Sequence, residues 1–193
     1  PFSETLLEAI HDIKPTILIG ASGQAQTFTQ DVIETMSVYN ERPVIFALSN
    51  PTSKSECTAE QAYQWSNGNA IFASGSPFDS VTLNGKTFVP GQGNNAYVFP
   101  GIGLGAIVSE TRRITDEMFI EAALTLSKYV TEEDLAKGRV YPALDRIRDV
   151  SAYIAEAVAR VAYASDLTEQ EKPRDLLKVI KSHIYEPNYY SYI

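Results

Sequence analysis

Three short apolar runs constrain this chain more than any other feature. Thr16-Ile17-Leu18-Ile19 stops at Gly20. Val44-Ile45-Phe46-Ala47-Leu48 stops at Ser49-Asn50-Pro51, and Ala70-Ile71-Phe72-Ala73-Ser74 stops at Gly75-Ser76-Pro77. Runs without polar alternation suit strands of a parallel sheet with helices on both faces. Their starts lie 28 and 26 residues apart, near the roughly 30 residues of a β-α-β unit. Helical spacing fills the gaps. Thr29 to Tyr39 puts Val32, Ile33, Met36 and Tyr39 on one face, with Thr29 as cap. Thr58 opens a second helix to Trp65, with Gln61 placed for a capping box. Ser3 to His11 reads as the tail of an earlier helix, with Leu6, Leu7 and Ile10 inward. The expected fold is α/β, an open parallel sheet caught partway through.

After Gly75 the pattern changes. Asn84-Gly85 between Val81-Thr82-Leu83 and Lys86-Thr87-Phe88-Val89 predicts a hairpin, because both turn residues must accept positive φ. Pro90-Gly91-Gln92-Gly93-Asn94-Asn95 reads as a loop, and the rest is almost wholly helical. Asp116 caps a helix with Phe119, Ala122, Ala123 and Leu126 on one face. A short helix opens at Thr131 and ends at Gly138. The longest helix, Asp145 to Ala164, carries a stripe through Ile147, Val150, Ile154, Ala157 and Val161. Pro173 opens the last helix, and the aromatic end 185–193 reads as extended.

Ligands of open parallel sheets bind beyond the carboxyl ends of the strands. Here those ends are Gly20-Ala21-Ser22-Gly23, Ser49-Asn50-Pro51-Thr52 and Gly75-Ser76-Pro77. Small residues leave room for main-chain N–H groups to approach a nucleotide. Asn50, Asn94 and Asn95 add uncharged donors and acceptors suited to a carboxylate or carboxamide.

Several classes are disfavoured. Sixteen Lys+Arg against 24 Asp+Glu give a net charge of −8, which disfavours general nucleic-acid binding. No apolar run approaches the roughly 18 residues of a membrane span. No P-loop motif is present, and Gly101-Ile102-Gly103-Leu104-Gly105 has the wrong spacing for a dinucleotide loop, so it reads as close helix packing. The single Cys57 excludes an intrachain disulfide framework and reads as inert; a reducing compartment is the easier reading. His11 and His183 have no metal-ligand spacing, and Glu132-Glu133-Asp134 reads as helix-start charge. Pro1-Phe2-Ser3-Glu4 does not resemble a targeting peptide, and the missing initiator Met suggests a piece of something longer.

Three stretches carry a family resemblance: Ile45-Phe46-Ala47-Leu48-Ser49-Asn50-Pro51-Thr52, Ile71-Phe72-Ala73-Ser74-Gly75-Ser76-Pro77-Phe78, and residues 90–101, from Pro90-Gly91-Gln92-Gly93-Asn94-Asn95 to Pro100-Gly101. With Lys14 to Gly20 and Gly138-Arg139-Val140-Tyr141-Pro142, they closely resemble the malic enzymes, specifically the C-terminal third of the large eukaryotic type. The resemblance implies the second half of a Rossmann-like NAD(P)-binding domain followed by a mostly helical region. It also implies oxidation and decarboxylation of (S)-malate to pyruvate and CO₂ with NAD or NADP and a divalent Mg or Mn ion. The metal ligands, the lysine base and the tyrosine acid are expected upstream, and no catalytic or metal-binding residue is carried onto this chain.

By the same resemblance, Gly20, Ala21, Ser22, Ser49 and Asn50 lie beside the cofactor, and Asn50 also reaches malate. Asn94 or Asn95 holds a malate carboxylate. Residues 1–93 finish the dinucleotide domain, 94–165 return to the catalytic domain, and 166–193 contact another subunit of a homodimer or homotetramer. The chain alone is expected to be inactive and to need the remainder of the same polypeptide. A malolactic enzyme releasing lactate, or a non-catalytic assembly module, are the alternatives. NAD versus NADP, and cytoplasm versus a mitochondrial or plastid matrix, stay open.

Overall fold

The computed structural model describes residues 3–186, so most of the aromatic end lies outside the described residues. The chain divides into two units, Pro1–Asn94 with Val130–Pro142, and Asn95–Tyr129 with Ala143–Ile193.

The first unit is built on four parallel strands, β1 (Ile17–Gly20), β2 (Val44–Ala47), β3 (Ile71–Ser74) and β6 (Gly91–Gln92), in the order β1-β2-β3-β6. Three helices, α1 (Leu6–Ile13), α2 (Gln30–Tyr39) and α3 (Ala59–Trp65), belong to the same unit. Their inward residues Ile10, Ile33, Met36 and Tyr63 share one buried core with Leu18, Ile45 and Phe72 of the strands. Each large side chain so buried contributes about 1.5–3 kcal/mol. Both Thr5 and Thr58 close full capping boxes, with Glu8 and Gln61 respectively. Thr29 stands at the cap position of α2 but makes no side-chain cap bond.

The sequence predicts helices on both faces of the sheet; among the described residues, α1, α2 and α3 share a single core with Leu18, Ile45 and Phe72 and so cover the same face. Ile17 and Ile19 of β1 point away from the helices and are 53% and 60% exposed. Apolarity on both strand faces shows that both can be buried, not that one chain supplies both covers. On the second face, Phe46 meets the ring of Tyr141 with centroids 6.3 Å apart.

The predicted hairpin is present as β4 (Val81–Leu83) and β5 (Lys86–Phe88), with Asn84 and Gly85 at φ of 51° and 78°. Strand β6, by contrast, falls where the sequence predicts only loop. Two residues are too few for periodicity to register, and the pairing depends on β3, far away in sequence. The short helix α6 (Glu132–Ala136) is capped by Thr131 and Asp134, whose carboxylate also pairs with Arg139 at 3.4 Å.

The second unit is helical: α4 (Phe99–Ser109), α5 (Asp116–Lys128), α7 (Ile147–Ala164) and α8 (Leu176–Ser182). The G-x-G-x-G segment lies in α4, where Gly101 and Gly105 sit one turn apart against α7. A methyl at Gly101 would fall 2.6 Å from Ile154 Cβ, and one at Gly105 would fall 2.6 Å from the Ala155 carbonyl oxygen. Close helix packing is therefore what these glycines serve. Two start signals shift by a few residues. The cap of α5 is Thr115 rather than Asp116, and α8 opens after Asp175, whose side chain accepts from Lys178 N at 3.0 Å, rather than at Pro173. No described helix is long and apolar enough to cross a membrane.

Candidate functional site at the carboxyl edge of the sheet

The strand register brings Gly20, Ala47, Ser74 and Gln92 into one row across the four strands. All four therefore end together, and the segments following them emerge on one edge. Gly20 to Gly23, Ser49, Asn50, Gly75, Ser76 and Asn94 all lie there.

At β3 the turn is tight. A methyl on Gly75 would sit 2.2 Å from the Leu48 carbonyl oxygen and 2.7 Å from Asn50 Nδ2, so only glycine fits. The Gly75 carbonyl accepts from Gln92 Nε2 at 3.2 Å and from Asn94 Nδ2 at 3.3 Å. The Ser76 hydroxyl donates to Asn50 Oδ1, which fixes one end of that amide. Asn50 itself is exposed; its Nδ2 lies 3.5 Å from the Leu48 carbonyl, too long to occupy the donor fully. Asn50 thus has its acceptor tied down by Ser76 and its donor lying beside the Leu48 carbonyl and Gly75, only weakly engaged. Asn95 belongs to the second unit, where it is exposed and opens a single helical turn over Asn95–Tyr97.

The loop after β1 differs from the sequence expectation in one respect. Small residues there suggest free main-chain donors for a phosphate, yet three consecutive amides are taken internally. Ser22 N donates to Glu56 Oε1 at 3.0 Å, Gly23 N to Ser49 Oγ at 2.9 Å, and Gln24 N to Ser22 Oγ at 3.1 Å. Nor does Gly20 owe its size to a ligand. A methyl there would meet Glu56 Cδ at 2.5 Å and Phe28 Cζ at 2.8 Å, both inside the protein.

Glu56 is the residue that sequence reasoning misses. It is fully buried between the two loops, yet in sequence it is one acid in Ser55-Glu56-Cys57, with no periodicity or motif to mark it. Burial alone would raise its pKa. Hydrogen bonds from the Ser49 hydroxyl, the Ser22 amide and the Ser22 hydroxyl outweigh burial and hold the carboxyl below the ordinary glutamate value. Next to it, burial first and the Glu56 charge second push the Cys57 thiol up to about 12, which leaves it protonated and unreactive at neutral pH. His11 Nδ1 lies 2.9 Å from the Tyr39 hydroxyl and His183 Nδ1 lies 2.8 Å from the Val179 carbonyl. No group of three or more His, Cys, Asp or Glu among the described residues could hold a metal ion.

Residues 2–163 match the family described as "Malic enzyme, NAD binding domain". An NADP-dependent malic enzyme of Phaseolus vulgaris is 56% identical over 97% of this chain and 32% of its own length. The chloroplastic NADP-dependent malic enzyme of Oryza sativa is likewise 56% identical, over 97% of this chain and 30% of its own length. The crystal structure of the malic enzyme from Pyrococcus horikoshii superposes with a TM-score of 0.65 at 27% identity, over 91% of this chain and 37% of that one. The chain spans about a third of the length of the curated relatives it matches. With a parallel α/β sheet, this row of small polar tips and a family match over most of its residues, the chain belongs to the malic enzymes, through their NAD-binding domain.

Proposed function

We propose that this chain supplies one wall of the dinucleotide and malate site in an enzyme that converts (S)-malate to pyruvate and CO₂ with reduction of NADP. The observation that carries the reading is the common row in which the strands end, with Asn50 beyond it. Bound there, the cofactor supplies the oxidant for the malate C2 carbon. The residues of this chain bind and orient. Ala21 and Ser22 form the surface beside the cofactor, Gly20 and Ser49 lie buried beneath them and shape it, and Asn50 reaches the nicotinamide ribose and malate. With Oδ1 held by Ser76 and Nδ2 only weakly engaged at the Leu48 carbonyl, the exposed Asn50 amide keeps donor capacity for the ligand. Asn94, whose amide is anchored at Gly75, is the candidate for a malate carboxylate on this edge; Asn95 remains its counterpart in the second unit.

As the family resemblance implies, the Mg or Mn ion and the acid and base groups are assigned to polypeptide outside the described residues. NADP is preferred over NAD because the bean and rice relatives carry that specificity in their names. Residues 1–93 then complete the dinucleotide domain, 94–165 return to the catalytic domain, and 166–193 make a subunit contact in a homodimer or homotetramer.

The test is Asn50→Ala in the complete enzyme. Losing a charge-assisted donor that acts on bound substrate is expected to cost about 100-fold in malate turnover, with the melting temperature unchanged. Turnover within twofold of wild type overturns the assignment. Lactate rather than pyruvate as product favours a malolactic enzyme.

A further inference from the structure

Glu56 has more hydrogen bonds, and less solvent, than a loop staple requires. Its Oε1 accepts from Ser22 N and Ser22 Oγ, each at 3.0 Å, and from the Ser49 hydroxyl; its Oε2 accepts from Ser49 N at 3.3 Å. Every one of these donors belongs to the loops following β1 and β2. The Glu56 backbone carbonyl adds Phe28 N at 3.0 Å, tying down the far end of the first loop. Gly20 is shaped around the same carboxylate, because a side chain there would collide with it.

A buried charge is expensive unless its hydrogen bonds are complete, and an apolar residue or an amide could link two loops at lower cost. What the ionised form adds is twofold. It is acceptor-only, so it turns the Ser22 donors inward and leaves the Ser49 hydroxyl oxygen to accept from Gly23 N. It also places a fixed negative charge just beneath the surface of the edge. Such a surface repels a phosphate and withholds the Ser22, Gly23 and Gln24 amides from it, but suits the part of a dinucleotide that is uncharged or cationic.

We infer that Glu56 is a positioning residue for the nicotinamide-riboside end of the dinucleotide. It acts through Ser22 and Ser49 to fix the surface on which that end lies, and its charge favours the oxidised, cationic ring over the reduced, neutral one. This inference rests on the site reading proposed above.

The experiment measures dissociation constants for NADP⁺ and NADPH in the complete enzyme, for wild type, Glu56→Gln, Ser49→Ala and Ala21→Phe. Glu56→Gln keeps the shape, removes the charge and sets an NH₂ against one of the former donors. NADP⁺ binding is expected to weaken about tenfold and NADPH about threefold or less, so that their ratio moves. A role confined to holding the loops would weaken both forms equally, and that result overturns the inference. Ala21→Phe adds bulk on the exposed side of the same loop and tests the site itself. If it weakens binding while Glu56→Gln does not, the inference fails and the site stands; if neither variant moves binding, both fail. Should Glu56→Gln not fold, Ser49→Ala carries the test. It retains the Glu56 charge, so both forms are expected to weaken with their ratio unchanged; a ratio that moves, which would place the preference in Ser49 and not in the charge, overturns the inference, as does binding within twofold of wild type.

Discussion

Glycine clusters in both units, and in each the missing side chain makes room for a different neighbour. Along α4, Gly101 and Gly105 let a second helix approach until its Ile154 side chain and Ala155 carbonyl occupy the space of a methyl. At the sheet edge, Gly20 makes room for a carboxylate and an aromatic ring, and Gly75 for a main-chain carbonyl and an amide. The first arrangement is packing between two regular elements. The second is three loops folded onto one another, with polar atoms at the points of contact. A glycine-rich strand end therefore does not by itself mean an open backbone. Here the glycines are tight on the inside, and Asn50 and Ala21 are among the residues left exposed on this edge.

The largest effect expected from this contrast is at Gly75. Alanine there drives a methyl to 2.2 Å from a backbone oxygen that cannot swing aside. The loop carrying Asn50 must move, at about 3 kcal/mol. Gly75→Ala should both lower the melting temperature and abolish most malate turnover in whatever fraction still folds. A variant that melts lower but turns over malate normally per folded molecule would separate the edge from the site.

Gly101→Ala is the matched experiment in the second unit. Its methyl would meet Ile154 Cβ and Cγ2 at 2.6 Å and the Ser151 carbonyl at 2.8 Å. The backbone oxygen here is met at 2.8 Å rather than the 2.2 Å at Gly75, so a smaller shift suffices and roughly 2 kcal/mol is expected. Turnover per folded molecule should be retained, because Gly101 belongs to a helix-helix contact. Stability and KM changing together there would break the comparison.

Much of this was legible in the sequence, and the division between what was and was not follows distance along the chain. The strands at Val44–Ala47 and Ile71–Ser74, the Asn84-Gly85 hairpin and the Thr58–Gln61 capping box depend on neighbours within a few residues or on one face of one element, and Gly101 and Gly105 are legible from their spacing along one helix although their partners lie far along the chain. Glu56 depends on donors 7 and 34 residues away, and nothing local distinguishes it from a solvated acid. Strand β6 exists because of a pairing with β3, and Val130–Pro142 groups with the first unit although its composition matches the helices around it. Asn50 and Asn94 were identifiable as residue types and by resemblance. Which of their atoms is already engaged required the folded loops.

A smaller effect concerns acid. The Glu56 carboxyl has a lower pKa folded than unfolded, so ionisation stabilises the folded edge. That stabilisation is fully present above the ordinary glutamate value and is lost as pH falls through the lowered folded value. Acid should thus loosen the first unit, and Glu56→Gln, which does not ionise, should flatten the acid limb of a melting-temperature profile. An unchanged acid limb would mean that other carboxylates govern it.

The smallest effect, and the one of opposite sign, belongs to Gly103. It lies between Gly101 and Gly105 in sequence but on the other side of α4, and a methyl there meets nothing within 4 Å. Alanine should then stabilise the helix by about 0.5–1 kcal/mol, because it has less backbone freedom to lose on folding. The outer side of α4 is nevertheless apolar: Phe99 is 56% and Ile107 72% exposed. A melting temperature that rises with Gly103→Ala means that this side stays open in the complete enzyme. One that falls means that something outside the described residues packs there closely enough to need a glycine, and the spacing of three glycines in α4 would then serve two helix faces instead of one.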